Sequence, residues 1–405
     1  MRLCPDASPF TLTRQQLLEV ARELERRTRE GLSRQGAQLQ CLTTYLPIRN
    51  VPSAGRVMVL DLGGSRLRAA VVRLRGATPV VERGPLETAM PWERNRQMDR
   101  KRYLEVQADL LEGLEEAGPI SLGYCFSYPA EPLPDRDARL LSWTKEIRIP
   151  ETEGKRVGRM LVDFLHRRGK IRCSRVTVIN DTVASLLAGV TRPPADACIG
   201  LIVGTGTNLA ALVPGRRIRK LADPSLANTL LPLNLESGNF DPPHRTREDR
   251  VVDETSGTPG KQRFEKAVSG AYLGRLMAAA CPGAGIEPDL GAEELGRLAH
   301  PDRESNSHVR MVAGRILRRS ARYVAAASAG LLAFLNADDP VRSVRIVAEG
   351  GLYWSRLNGV PAYARQVEGT LRELLPELGL PDIFLNIECI ENANLAGTAV
   401  AALLD

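Results

Sequence analysis

Two glycine turns, each joining two apolar runs, constrain this chain more than any other feature. In VMVLDLGGSRLRAAVVRL the turn is Gly63-Gly64-Ser65, and in CIGLIVGTGTNLAALV it is Gly204-Thr205-Gly206-Thr207-Asn208. A β-branched run enters each turn and a second apolar run leaves it, which reads as strand–turn–strand. A P-loop or a Rossmann fingerprint needs a helix after its glycines, with its N-terminus facing the phosphate. Here the backbone N–H groups of the turns themselves must form the anion-binding nest. Either turn alone also fits an ordinary glycine-cornered hairpin. The pair predicts a duplicated α/β domain that grips one polyphosphate from both sides.

A length of 405 residues suits two domains. The composition, 43% hydrophobic and 25% charged, is that of a globular protein. No apolar run approaches the roughly 20 residues that span a bilayer, so no membrane partner is expected. The opening MRLCPDASPF has no apolar h-region and predicts no secretory signal. The cysteines (Cys4, Cys41, Cys125, Cys173, Cys198, Cys281 and Cys389) never form a CxxC pair, which argues against a Cys-rich zinc site and fits reduced thiols in the cytoplasm. The net charge of +7 invites a nucleic-acid reading, but arginines are dispersed and aromatics are only 4%, so stacking platforms are scarce and no nucleic-acid partner is expected. A basic cleft suits an anionic nucleotide equally well.

Along the chain, residues 11–32 read as an amphipathic helix, with Leu17, Val20, Ala21 and Leu24 at helical spacing. Val51 to Gly55 forms a linker. Ile120 to Phe126 and Arg175 to Asp181 read as buried strands, with a helix over 154–168 between them. Residues 241–262 are polar and turn-rich and read as a surface loop. Helices are expected over 263–280, 306–336 and 394–404, with a strand over 342–348.

The chemistry-bearing residues follow the strands. Asp181 ends VTVIND directly before a helix start, where α/β proteins place catalytic groups. It reads either as a general base for a hydroxyl proton or as a helix N-cap. Asp61, beside the first turn, reads either as an acid that organises Mg²⁺ through water or as a turn aspartate bonding its own backbone. Ser127, Thr144, Lys145, Asn180, Asn208, Glu236 and Glu265 together can pair with the hydroxyls of one small polyol.

In order along the chain, these segments resemble the hexokinase family, within the actin-like ATPase-domain superfamily, and most closely a bacterial-type hexokinase. LDLGGSRLR is similar to its LDLGGTNFR. LGYCFSYPAEPLPDRDARLLSWTKEI is similar to its hexose signature. INDTVASLLAG matches the segment of the catalytic aspartate, and IGLIVGTGTN matches the second phosphate motif. NLESGNF resembles NxEWGxF, VVDETSGTPGKQRFEKAVSGAYLGRL is similar throughout, and LTTYLP resembles MLPTYV. The resemblance implies a fold of two actin-like (ribonuclease H-like) α/β domains with a sugar and nucleotide cleft between them. It would divide the chain into an N-terminal helical segment (1–50) on the large domain, a small domain (51–184) and a large domain (185–405) whose last helix would return to the small one.

The resemblance also implies ATP-dependent phosphorylation of glucose or a related hexose at its 6-hydroxyl, in a monomer or homodimer. Asp181 would be the base. Ser127, Thr144, Lys145, Asn180, Asn208, Glu236 and Glu265 would hold the sugar. Gly63, Gly64, Ser65, Arg68, Gly204, Thr205, Gly206, Thr207, Gly350, Gly397 and Thr398 would hold the nucleotide, with Asp61 facing Mg²⁺ through water. Departures stand at Arg66 (family Asn), Ser237 (family Trp), Glu349-Gly350-Gly351 (family Asp-Gly-Thr/Ser) and Asn392-Ala393-Asn394 (family Asp-Gly-Ser). The last two bear on the nucleotide base, and Ser237 keeps another hexose or a hexosamine open as acceptor. A non-catalytic sugar sensor on the same fold is the alternative from another class.

Overall fold

The computed structural model describes residues 8–64, 66–91, 97–116, 118–144, 147–221, 223–300, 306–356 and 362–404. The first long helix, α1 (Arg14–Ser33), starts at a capping box: the Thr13 hydroxyl accepts from Gln16 N while the Gln16 side chain accepts from Thr13 N. Its buried stripe of Leu17, Val20, Ala21 and Leu24 enters the larger of the cores.

After a short strand β1 (Leu42–Thr43), strands β2 (Ala54–Leu62) and β3 (Arg66–Arg75) pair antiparallel down to Leu62↔Leu67, so the Gly63–Gly64 turn closes a hairpin. Strand β4 (Thr78–Ala89) extends it at the edge. Helix α2 (Arg100–Glu112), strand β5 (Ile120–Phe126), the ribbon β6 (Ala130–Pro132) and β7 (Ala138–Leu140), helix α3 (Val157–Arg168) and strand β8 (Cys173–Ile179) follow. The first sheet has the order β4-β3-β2-β5-β8, with β2, β5 and β8 parallel.

Helix α4 (Asp181–Val190) leads into a second unit of the same plan. Its hairpin is β9 (Ala197–Val203) with β10 (Thr207–Pro214), closed at Val203↔Thr207. Then come β11 (Leu230–Asn234), α5 (Arg247–Glu254), α6 (Arg263–Val268), α7 (Gly270–Ala280), α8 (Ala292–Leu298) and the long α9 (Ser307–Asn336). Strand β12 (Ser343–Glu349), α10 (Tyr363–Leu374), β13 (Phe384–Glu388) and α11 (Ala393–Leu403) complete it. The second sheet runs β1-β11-β10-β9-β12-β13, with β12 parallel to both neighbours.

The two units exchange helices. Helix α4 follows the last strand of the first sheet yet packs Val183, Leu186 and Leu187 with Cys198 and Ala210 of the second. Helix α11 follows the last strand of the second sheet yet packs Leu395, Ala399 and Ala402 on Val57, Val59, Ala70 and Val72 of the first. The helices cross at Gly397, where a Cβ would lie 1.8 Å from Ala184 O, so only glycine allows this approach. The crossing couples the two sheets.

Two sequence expectations are corrected. The polar segment 241–262 contains helix α5, begun by a capping box of Thr246 and Asp249. Its inward face carries Asp249 and Asp253 beside Val252, so a search for an apolar stripe misses it. The helix expected over 263–280 is broken at Ser269, whose backbone is extended (φ −87°, ψ 154°). The break frees Gly270 N and Ala271 N to donate to the Gly204 and Thr205 carbonyls (2.8 and 3.3 Å), which anchors the second glycine turn.

Candidate active site

Parallel strands β5 and β8 deliver their ends to one side of a cleft, as open parallel sheets do. Ser127 and Tyr128 follow β5, and Ser127 N donates to Leu62 O at 3.2 Å. The Tyr128 hydroxyl donates to Gly63 O at 3.3 Å, tying this loop to the first glycine turn. Asn180 and Asp181 follow β8. Asn180 is the cap of α4, its Oδ1 accepting from Thr182 N at 2.9 Å, and Asp181 is the first helical residue. The capping reading therefore belongs chiefly to Asn180, although Asp181 Oδ1 also accepts from Thr182 N at 2.8 Å.

Thr144 is held by its neighbour. The Trp143 ring lies 4.8 Å from Tyr128 and 5.7 Å from Tyr103, both edge-on, and its indole N–H donates to Thr152 Oγ1 at 2.8 Å. Lys145 and Ser65 lie outside the described residues.

The opposite wall belongs to the second sheet. Asn208 sits on β10, and Glu236 follows β11 with a left-handed backbone (φ 54°), an uncommon state for a side chain of this size and one that clusters at functional sites. Gln262, also left-handed (φ 52°), precedes α6, whose Glu265 accepts from Thr207 N at 3.1 Å. A Cβ on Gly206 would lie 2.5 Å from Glu265 Oε2, so the glycine makes room for this carboxylate. Ser127, Thr144, Asn180, Asp181, Asn208, Glu236 and Glu265 thus line one cavity, together with Tyr128, Asn239 and Gln262. Sequence reasoning reaches Tyr128 only as part of the hydroxyl-bearing Ser127-Tyr128-Pro129 loop and misses Asn239 and Gln262. The turn-forming runs TPGK directly before Gln262 and ESG directly before Asn239 are the local signals it had.

Asn208 has little capacity left over. Its Oδ1 accepts from Leu209 N (2.8 Å) and Ser237 N (3.0 Å), and its Nδ2 donates to Asn234 Oδ1 (2.7 Å) and, at 3.5 Å, to Asn180 Oδ1. Ser237 is fully buried and adds a 3.4 Å contact from its hydroxyl to the same Asn208 oxygen.

Beside this cavity the second glycine turn packs against the end of β12. Gly350, with φ 112°, packs so tightly that a Cβ would lie 2.2 Å from Val203 O, and it contacts Gly204. Asp61 is buried, and its Oδ2 accepts from Arg68 Nη2 (2.6 Å) and Nε (3.1 Å). Asn394 Nδ2 donates to its other oxygen at 3.4 Å, and Arg68 Nη1 donates to Asn392 Oδ1 at 3.4 Å. Burial pushes the Asp61 carboxyl up, against the Arg68 guanidinium. Burial also pushes the Glu349 carboxyl up to about 7, with Arg68 opposing and Asp61 adding to the rise. Both Asp61 oxygens are engaged, so this carboxylate suits a cation held through water and not by direct ligation. Among the described residues no group of three His, Cys, Asp or Glu is arranged as a direct metal site.

Comparison with known proteins now decides the family. Two family models, both described as Hexokinase, match residues 6–191 and residues 198–281 with 289–404. The chain belongs to the hexokinase family. It is 31% identical over 284 residues to Hexokinase-3 of Mus musculus (67% of this chain, 30% of that one) and 33% identical over 281 residues to Hexokinase-2 of Homo sapiens (66% and 30%). With Hexokinase-1 of Saccharomyces cerevisiae it shares 31% over 284 residues (66% and 58%). The alignments thus span about a third to three-fifths of these relatives' lengths. The bacterial-type placement is not borne out, since these hexokinase relatives are mammalian and fungal.

The fold is that of solved hexokinases. A Schistosoma mansoni hexokinase complexed with glucose superposes with a TM-score of 0.82 at 24% identity, covering 98% of this chain and 96% of that one. A ROK family glucokinase from Streptomyces griseus, in complex with glucose and AMPPNP, gives 0.51 at 18% identity, covering 85% and 98%.

Two residues that the hexokinase motifs suggest for the nucleotide are enclosed by the packing of α11. Gly397 is enclosed at the α4–α11 crossing. Thr398 is fully buried, its methyl group 2.8 Å from where a Cβ on Gly123 would stand. Both therefore serve helix packing. Thr207 faces the cavity lined by Asp181 and Glu236, and its hydroxyl donates to Ile202 O at 3.0 Å. Thr205 lies exposed at the tip of the second turn.

Proposed function

We propose that this chain transfers the γ-phosphoryl group of ATP to the 6-hydroxyl of glucose or a related hexose, with Asp181 as general base. One observation carries the reading: a carboxylate at a strand end, Asp181, shares one cavity with paired carboxylates and amides from the opposite sheet, the second glycine turn lines it, and its Tyr128 is bonded to the first. Ser127, Thr144, Asn180, Glu236 and Glu265 present donors and acceptors that suit a sugar's hydroxyls. The second N–H of Asn208, bonded only weakly to Asn180, is the one it can turn to a ligand. Lys145 would join them from the Thr144 loop.

Phosphoryl transfer asks mainly for positioning and charge stabilisation. Asp181 would take the 6-hydroxyl proton as that oxygen bonds to phosphorus, a contribution of about 10²–10⁴-fold. The backbone N–H groups at Gly64, Thr205 and Gly206 would face the phosphates, while Gly63 N and Gly204 N close their own turns by donating to Arg66 O and Gly206 O (both 2.9 Å), with Gly350 beneath. Arg68 would leave part of its contact with Asp61 for a phosphate oxygen. Mg²⁺, when bound with ATP, supplies neutralisation of the polyphosphate, and Asp61 would hold it through water. The reading places the chain at the entry of glucose into glycolysis, in the cytoplasm. The six described cysteines are free, which suits a reducing compartment. No described helix is long and apolar enough to cross a membrane.

The test is a coupled assay of the purified protein against glucose, mannose, fructose, galactose, glucosamine and N-acetylglucosamine with ATP and Mg²⁺. Glucose 6-phosphate is the expected product. A hexosamine preference would redirect the acceptor assignment to the alternative that Ser237, in place of the family's Trp, keeps open. Glucose binding without a phosphate ester from any sugar would favour the sensor reading and overturn this one.

A further inference from the structure

We propose that Asn234 is a positioning residue of the sugar site, which aims the Glu236 carboxylate. The proposal rests on the hexose-binding reading above and goes beyond it, because Asn234 does not line the main sugar cavity.

Asn234 ends β11, paired with Ala210 of β10 and Leu42 of β1, so its backbone is fixed from both sides. Its side chain is buried at 3% exposure. Nδ2 donates to Glu236 Oε1 at 2.7 Å, and Oδ1 accepts from Asn208 Nδ2 at 2.7 Å and from Glu236 N at 3.2 Å. One carboxamide therefore holds both the carboxylate and the backbone of Glu236, and it does so where that backbone is left-handed. Such a conformation persists when its surroundings over-determine it.

The amide orientations are set by the network. Asn208 Oδ1 accepts from two backbone N–H groups, at Leu209 and Ser237, so its Nδ2 must face Asn234. Asn234 must then present Oδ1 to that N–H and to Glu236 N, which leaves Nδ2 for the acceptor-only carboxylate. Of the side chains of this size, only an amide supplies a donor and an acceptor in this arrangement. An aspartate at 234 would keep the acceptor but set a second carboxylate against Glu236 Oε1. Two carboxylates at that distance share a proton, so the lost donor returns when one of them is protonated.

The experiment titrates glucose into full-length wild type and Asn234→Asp by calorimetry between pH 5.5 and 8.5, alongside KM and kcat. The expected result is a glucose Kd about tenfold or more weaker than wild type at pH 8, recovering towards wild type as pH falls, with KM moving more than kcat. Wild-type affinity at every pH, or a loss of equal size at every pH, would overturn the proposal. A double-mutant cycle guards against a merely misfolded variant. Asn234→Ala in the Glu236→Ala background should weaken binding by less than threefold further, because its route runs through Glu236. Full additivity would overturn it too. Failure of the wild type to bind any hexose would instead strike the parent reading.

Discussion

Arg68 donates to Oδ2 of Asp61 from Nη2 at 2.6 Å and from Nε at 3.1 Å, which joins the two strands of the first hairpin at the cleft floor. The Glu349 carboxyl arrives from the second sheet and lies close enough to feel both charges. Its Oε1 is enclosed with no hydrogen-bond partner among the described residues. One arginine thus serves two acids across the gap between the sheets.

That arrangement gives a pH signature. Burial raises the Glu349 carboxyl to about 7 from an ordinary 4.5. Between those values the folded chain keeps a proton that the unfolded chain has lost, so stability falls as pH rises through the window and the loss is complete above it. Glu349→Gln removes the penalty. Melting curves with a chelator and no nucleotide should show the variant more stable than wild type at pH 8 and no more stable at pH 4.5. An equal difference at both pH values would mean that Glu349 does not titrate there.

Gly206 links the second turn to the sugar wall. In Gly206→Ala the new methyl meets Glu265 Oε2 at 2.5 Å, and the carboxylate must swing away from Thr207 N. The glucose KM should rise roughly tenfold, the scale of one charge-assisted hydrogen bond, while the melting temperature changes little. An unchanged KM would show that Glu265 makes no contact that matters to the sugar.

The large core contains a buried ion pair. Arg319 donates to Asp249 through Nη1 (2.7 Å) and Nη2 (2.8 Å), and its guanidinium lies 4.8 Å from the Phe10 ring. Against the cost of burial, Arg319 holds the Asp249 carboxyl below its ordinary range. Removing one partner strands the other charge, at about 3–5 kcal/mol. Arg319→Met should therefore lower the melting temperature by several degrees, and adding Asp249→Leu should recover part of it. A single variant that melts with wild type would show that the pair contributes nothing.

The parts of this fold that local physics dictates were legible in the chain. Glycine turns between β-branched runs forced both hairpins, and carboxylates at strand ends marked Asp61 and Asp181. What stayed hidden depends on distant partners. Helix α5 turns Asp249 and Asp253 inward because Arg319 and Lys266 await them, and nothing in RTREDRVVDE says so. Strand β4 alternates half-exposed and exposed residues at a sheet edge and so reads as surface. The motif around Gly397 says nothing of the Ala184 carbonyl that its missing side chain admits. Asn234 stood two residues before Glu236 in NLE, but only the β10 neighbour Asn208 reveals its task.

The central claim is that Asp181 is the base of a hexose kinase, and Asp181→Ala tests it most directly. Turnover of glucose at saturating ATP and Mg²⁺ should be compared with the glucose Kd measured by calorimetry. The account predicts a kcat at least about a hundredfold lower, with Kd within a few-fold of wild type, because the carboxylate acts on the proton in the transition state. A folded variant that retains turnover within a few-fold of wild type would contradict it and leave Asp181 as a helix-end residue.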